Sequence, residues 1–103
     1  MNVIISGKDF SLTPSLKAYA LAHTKKLGRI MPAIQEIKIE LDVDKNQHSG
    51  AIYRAEISVK LPGSFLKAGE KAEHMQQALD LCVPKLAKQL ERVKAKKSRK
   101  QRS

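Results

Sequence analysis

The chain has little that reacts and little that stacks. Its 103 residues include one cysteine, no tryptophan and four other aromatics: Phe10, Tyr19, Tyr53 and Phe65. A lone cysteine excludes an internal disulfide and fits a reducing compartment. Cys82 falls on an apolar helical stripe, so a buried, inert thiol is expected. The aromatics do not cluster, and base stacking is not expected to dominate any recognition of nucleic acid. No run of about 18 apolar residues exists to span a membrane. Met1-Asn-Val-Ile-Ile-Ser-Gly7 lacks the basic flank and long apolar region of a secretory signal, so a cytoplasmic protein with no membrane partner is expected. His23, His48 and His74 occur singly, with no Cys, Asp or Glu at metal-ligand spacing, and no glycine-rich phosphate loop, nucleophile elbow or HExxH is present. Glu40, Asp42, Asp44 and Glu56 alternate along strands and face water rather than forming a catalytic pair. No catalytic residue, metal, cofactor or small-molecule substrate is expected.

Acid is also scarce, and unevenly so. Twenty Lys/Arg stand against ten Asp/Glu, a net charge of +10. Residues 85–103 hold nine Lys/Arg and a single acid, Glu91. Such a concentrated basic excess raises affinity and on-rate for a polyanion, whether nucleic acid, an acidic membrane or an acidic protein. The length suits one domain with one core.

The hydrophobic pattern gives the order of elements. Asn2 to Ser6 reads as a strand built on Val3, Ile4 and Ile5 and broken by Gly7-Lys-Asp9. Thr13-Pro14 starts a helix, with threonine as cap and proline at the first helical position. Leu16, Tyr19, Ala20, His23 and Leu27 form its apolar stripe, and Gly28 and Pro32 are expected to stop it after Leu27. From Ile34 to Asp44 the period becomes two, with Ile37, Ile39, Leu41 and Val43 inward. Lys45 to Gly50 is a polar loop. Tyr53, Ala55, Ile57, Val59 and Leu61 alternate again up to the tight turn Pro62-Gly63, and the returning strand from Ser64 to Ala72 turns Leu66 and Ala68 inward. Met75, Leu79, Cys82, Val83, Leu86, Leu90 and Val93 then recur at steps of three and four, marking a last helix with one buried face. Pro84 interrupts it, either as a kink or as the start of a second helix; the unbroken phase of the stripe favours the kink.

The order β-α-β-β-β-α gives an α+β fold: a two-layer sandwich with both helices on one face of a four-stranded mixed sheet. The first unit is expected to be a parallel crossover and the last three strands an antiparallel meander. Residues 1–96 are expected to be this one domain. Residues 97–103 carry no apolar side chain and are expected to be a disordered basic tail.

Lys85, Lys88, Arg92 and Lys96 repeat at helical spacing beside the buried stripe. Like charges four residues apart repel along a helix, so an external partner is expected to compensate them. Lys94 continues the basic run, and the first helix adds Lys17, Lys25, Lys26 and Arg29. With the helices side by side, these groups are expected to meet on one surface that tracks phosphates.

The element order, the opening Asn-Val-Ile-Ile-Ser-Gly, the helix start Leu12-Thr13-Pro14-Ser15-Leu16-Lys17, the pair Lys26-Leu27, and Lys85-Leu86-Ala87-Lys88-Gln89-Leu90-Glu91-Arg92-Val93-Lys94 resemble the ribosome hibernation promoting factor and ribosome-associated inhibitor family, also called sigma-54 modulation proteins. The resemblance runs over residues 1 to about 97. It implies a non-enzymatic factor, monomeric off the ribosome. Such a factor binds the small ribosomal subunit and its rRNA in the channel for messenger and transfer RNA, competes with both, blocks translation, and protects idle ribosomes under stress or in stationary phase. It also implies rRNA-binding roles for Lys17, Lys26, Lys85, Lys88, Arg92, Lys94 and Lys96, and Arg29 on the first helix is expected to bind rRNA with them. Two departures stand out: His74-Met75-Gln76 where the family usually has Asp-Met-Tyr, and Pro84 where a helix-compatible residue is usual. The second domain of the long members is not found here, so their one-chain pairing of ribosomes is not expected. Double-stranded-RNA-binding modules share much of the topology, and a general double-stranded-RNA or rRNA-binding module is the alternative reading; their basic cluster, however, tends to open the last helix rather than occupy its second half.

Overall fold

A computed structural model describes residues 1–9, 11–45 and 50–102, and the side chains of all of these up to Lys96. Phe10, Ser103 and the middle of the polar loop, with His48, lie outside the described residues. The elements are β1 (Asn2–Lys8), α1 (Pro14–Ile30), β2 (Glu36–Asp44), β3 (Ile52–Leu61), β4 (Ser64–Ala72) and α2 (Met75–Arg102). The strands lie in the order β1-β2-β3-β4, with β1 parallel to β2 and the other pairs antiparallel. The α+β sandwich is therefore as the sequence pattern predicts.

Period-two alternation decides which face of the sheet is covered. Ile37, Ile39, Leu41 and Val43 on β2 and Ala55, Ile57, Val59 and Leu61 on β3 are buried, while the residues between them are not. From α1 come Ala20 and Leu27, and from α2 come Met75, Ala78, Leu79, Cys82, Val83, Leu86 and Leu90; with these strand residues other than Val43 they make one core. Leu79, Leu86 and Leu90 are completely buried, each contributing about 1.5–3 kcal/mol of transfer free energy. Among the described residues, no helix lies on the opposite face of the sheet.

Local chemistry sets the boundaries. Thr13 caps α1 by accepting a hydrogen bond at its hydroxyl from the Leu16 amide at 3.2 Å, and Pro14 follows at the start of the helix. The helix does not stop after Leu27. It passes through Gly28 to Ile30, because a helical glycine costs only about 1 kcal/mol against alanine. The stop comes from Pro32, which drives the preceding Met31 out of helical geometry to φ −136° and ψ 92°. Nor does β1 end at Ser6. Gly7 and Lys8 keep pairing with Leu41 and Asp42, and the chain turns at Asp9 with φ 63°, a conformation that Asp tolerates better than most residues. The turn Pro62-Gly63 is a two-residue connection between the paired Leu61 and Ser64, and Gly63 takes the φ of 74° that it requires.

α2 is one helix through Pro84. The buried stripe on either side of the proline belongs to one face, so the alternative of a second helix starting there does not occur. The helix also continues to Arg102, past the boundary expected after Lys96 and into the stretch expected to be a disordered tail. Lys, Arg and Gln are good helix formers, and extending an existing helix needs no new core contact.

Thr24 is a buried polar residue on α1, and its hydroxyl donates to the Ala20 carbonyl at 3.0 Å. Cys82 is buried, with its Sγ 3.3 Å from the Ala55 carbonyl oxygen. Burial, with a smaller contribution from the Glu56 carboxylate, pushes the thiol up to about 11. A thiol held neutral in the fold stabilises it fully below the unfolded value near 9 and loses that contribution as pH rises towards 11. The native protein is therefore expected to resist iodoacetamide at pH 8 and to react promptly in urea, as intact-mass spectrometry will read.

Gly28 supplies a second test. A Cβ there would lie 3.2 Å from Met1 Sδ, closer than ordinary contact. Met1 is more than half exposed, so its flexible end can move away. Gly28→Ala is expected to stabilise the fold by up to about 1 kcal/mol, seen as a higher urea midpoint; a lower midpoint would mean that Met1 is held in place.

Candidate nucleic-acid interface

Charge is divided between the two layers. The four strands carry six Lys/Arg and six Asp/Glu; α1 carries four Lys/Arg and no acid; α2 carries nine Lys/Arg against Asp80 and Glu91. On the open face of the sheet the charges pair among themselves. Lys38 lies 3.3 Å from Glu40, Lys67 lies 3.1 Å from Glu56, and Arg54 pairs with its cross-strand neighbour Asp42. Exposed pairs of this kind add at most about 1 kcal/mol each to stability. Their effect is to cancel the field of the sheet.

The cations of the helices are mostly uncompensated. Among the helical Lys and Arg whose side chains are described, Lys85 is the one in an ion pair; its partner is Glu70 on β4. Lys17, Lys25, Lys26, Arg29, Lys88, Arg92, Lys94 and Lys96 are exposed and unpaired. The surplus of positive charge therefore faces outward from the helical layer.

Two contacts orient this layer. The helices start together, since Thr13, Ser15 and Leu16 line one small hollow with His74, Met75 and Gln76. Farther along, the Tyr19 hydroxyl donates to Asp80 Oδ1 at 2.6 Å, and His23 Nε2 lies 3.7 Å from the same oxygen. The Tyr19 and His23 rings are 4.2 Å apart, tilted against each other. The helices thus run side by side in the same sense, joined at Asp80. On its other flank α2 touches β4: Lys85 pairs with Glu70, and Gln89 Nε2 donates to the Lys67 carbonyl at 3.4 Å.

At about 100° per residue, Lys85, Lys88, Arg92 and Lys96 fall within roughly 80° of one another around α2, and Lys85 is about 140° from Asp80. The ridge rises along the flank of α2 beside β4, away from α1. Lys94 is about 180° from Lys85, on the side nearer α1. On α1, Lys26 lies on the same side as Tyr19, Arg29 faces outward, and Lys17 is about 180° from Lys26. The eight expected residues therefore do not form one patch. Four make a ridge, Lys26 and Lys94 border the valley between the helices, Arg29 crowns α1, and Lys17 sits on its far flank. The simple picture of convergence fails because each helix turns only one side toward the other.

Sequence reasoning did not find the Tyr19, His23 and Asp80 contact. Tyr19 and His23 read as part of the apolar stripe, and Asp80 carried no signal of a partner 61 residues away. Glu70 was also missed, although its place on the inward-facing register of β4 sets it on the side of the sheet that the helices cover.

Against this geometry, the family comparison is direct. The model of the sigma 54 modulation protein / S30EA ribosomal protein family matches residues 3–98. The chain belongs to this family. The ribosome hibernation promoting factor of Escherichia coli K12 is 26% identical over 96 residues, covering 93% of this chain and 96% of that one. The ribosome hibernation promotion factor of a Picosynechococcus strain is 26% identical over 97 residues, and there the chain spans only 50% of the relative. Among solved structures, a ribosomal subunit interface protein from Coxiella burnetii superposes with a TM-score of 0.77 at 30% identity, over 92% of this chain and 99% of that one. The N-terminal domain of Thermus thermophilus Protein Y gives 0.68 at 26% identity, over 90% and 99%. Both solved structures share the fold on which the ridge is mounted.

The Asp80 contact gives a further test. The hydrogen bond to Asp80 raises the Tyr19 phenol above its usual value, with smaller contributions from burial and the carboxylate charge. Asp80→Asn is expected to bring it back down toward 10, measured as phenolate absorbance against pH. An unchanged titration would mean that the contact does not form in solution.

Proposed function

We propose that this protein is a cytosolic ribosome hibernation factor. It binds the small ribosomal subunit in the channel for messenger and transfer RNA, inhibits translation, and protects idle ribosomes under stress or in stationary phase. The observation that carries this reading is the segregation of charge: a neutralised sheet backing a helical layer whose described lysines and arginines, Lys85 apart, lack carboxylate partners. Membership of the family and the names of its relatives support it.

The binding is shape-matched insertion of a rigid sandwich, with helical cations neutralising rRNA phosphates and no bond made or broken. Lys88, Arg92 and Lys96 form the main contact, with Lys26, Arg29 and Lys94 around the inter-helix valley and Lys17 at the margin. Lys85 both contacts phosphate and is steadied by Glu70. The protein is a monomer off the ribosome.

Each phosphate neutralised adds roughly 0.7 to 0.9 to the slope of log affinity against log salt. Lys88→Glu, Arg92→Glu and Lys96→Glu together are expected to abolish co-sedimentation with small subunits while the far-ultraviolet spectrum stays native, because all three side chains are exposed. Retained co-sedimentation of the folded triple variant would overturn the assignment of the ridge. Gradients with and without transfer RNA separate this reading from that of a general RNA-binding module. Displacement by transfer RNA is expected, whereas equally tight binding to a plain RNA duplex would favour the general module.

A further inference from the structure

The β3–β4 hairpin carries a feature that neither the core nor the ridge explains. Phe65 is 65% exposed, the most exposed of the large apolar side chains described. It lies next to the Pro62-Gly63 turn on the helix-free face of the sheet. Directly across the ladder is Lys60, and Lys67 follows two residues along on the same face. Opposed side chains in such a ladder stand about 5 Å apart, and next neighbours on a face about 7 Å. Phe65 is thus an open ring opposite Lys60, with Lys67 next on that face along its own strand. Lys67 is shared with Glu56 at 3.1 Å, while Lys60 has no ion-pair partner among the described residues.

The hairpin also adjoins the ridge. Gln89 of α2 bonds the Lys67 carbonyl across the edge of β4, and Arg92, about 60° around the helix from Gln89, lies on the flank of α2 nearer the strand that bears Phe65. The ridge and the hairpin therefore meet at the β4 edge, with Lys60, Phe65 and Lys67 on the outer face of the hairpin.

We propose that Phe65 stacks on an unpaired RNA base, while Lys60 holds the adjoining phosphate. An aromatic ring accepts the face of any base, and flanking lysines favour a nucleic-acid strand over an apolar protein pocket. The paired hairpin and the restricted Pro62-Gly63 turn hold the ring in place beforehand, so little ordering is needed on binding. This inference rests on the ribosome-binding reading and extends its interface beyond the helices, adding one stacking contact to a surface otherwise read through backbone and shape.

The test is binding of the full chain to purified small subunits across a salt series, with Phe65→Ala, Phe65→Leu, Phe65→Tyr and Phe65→Trp. All four are expected to fold, since Phe65 contributes nothing to the core. Alanine and leucine are expected to weaken binding roughly 5- to 100-fold, while tyrosine and tryptophan keep wild-type affinity. The salt slope is expected to stay unchanged in every variant, because no phosphate contact is lost. If alanine binds as the wild type does, stacking is overturned. If leucine does, the contact is with an apolar protein surface and the proposal is equally overturned. Failure of the wild type itself to bind would sink the ribosome reading, a result distinct from either.

Discussion

Burial of the apolar stripe of α2 against the sheet decides where the charge goes. Because Leu79, Leu86 and Leu90 are completely enclosed, the helix has only one workable rotation about its own axis. Turning Lys85 or Arg92 inward would expose those leucines and strand an ammonium or guanidinium in the core. That rotation places the ridge beside β4, where Glu70 and the Lys67 carbonyl are in reach. The core thus acts as a mount, holding long flexible cations on a stiff row.

The electrostatic design follows. A ridge of like charge costs a few tenths of a kcal/mol per neighbouring pair, and among the described residues only Lys85 has a carboxylate to relieve it. On the sheet the same kinds of residue are interleaved and paired. Exposed pairs add little stability, so their main consequence is local cancellation: a polyanion approaching from the sheet side meets alternating signs, and one approaching the helices meets a surplus. The orientation of the field therefore comes from the arrangement of acids as much as from the number of bases.

Sequence made much of this visible because its signals were periodic. Strict alternation over Ile37 to Val43 and over Tyr53 to Leu61 left one possible buried face, and the three-four spacing from Met75 to Val93 named the stripe of α2 despite Pro84. The misses have a common cause. Gly28 was read as a stop, although a helix tolerates a glycine and it was Pro32 that ended α1; Gly7 was read as a break, although an edge strand with a parallel partner accepts it. Single punctuating residues are weak evidence against a neighbour that keeps pairing. Long-range polar contacts leave no periodic trace at all, which is why Tyr19 with Asp80, and Glu70 with Lys85, appear only in three dimensions. The expected single basic surface failed for a related reason: a helical repeat fixes the angles within one helix, but not the flank that faces another.

The contact at Asp80 gives the helical layer a property that charge alone would not. α1 carries four cations and α2 nine, so the two helices repel each other across the valley that Lys26 and Lys94 border. Asp80 is the acid placed between them, accepting the Tyr19 hydroxyl and lying near His23. A neutral apolar seam would hold the backbones together and leave this repulsion in place. A carboxylate in the seam offsets part of it and adds a directional hydrogen bond, which fixes the spacing of the two cationic rows. Recognition of a folded RNA by shape depends on that spacing, because phosphates in a rigid cavity do not move to meet misplaced lysines. The acid that lowers the net charge of the helical layer is therefore one of the groups that makes its geometry definite.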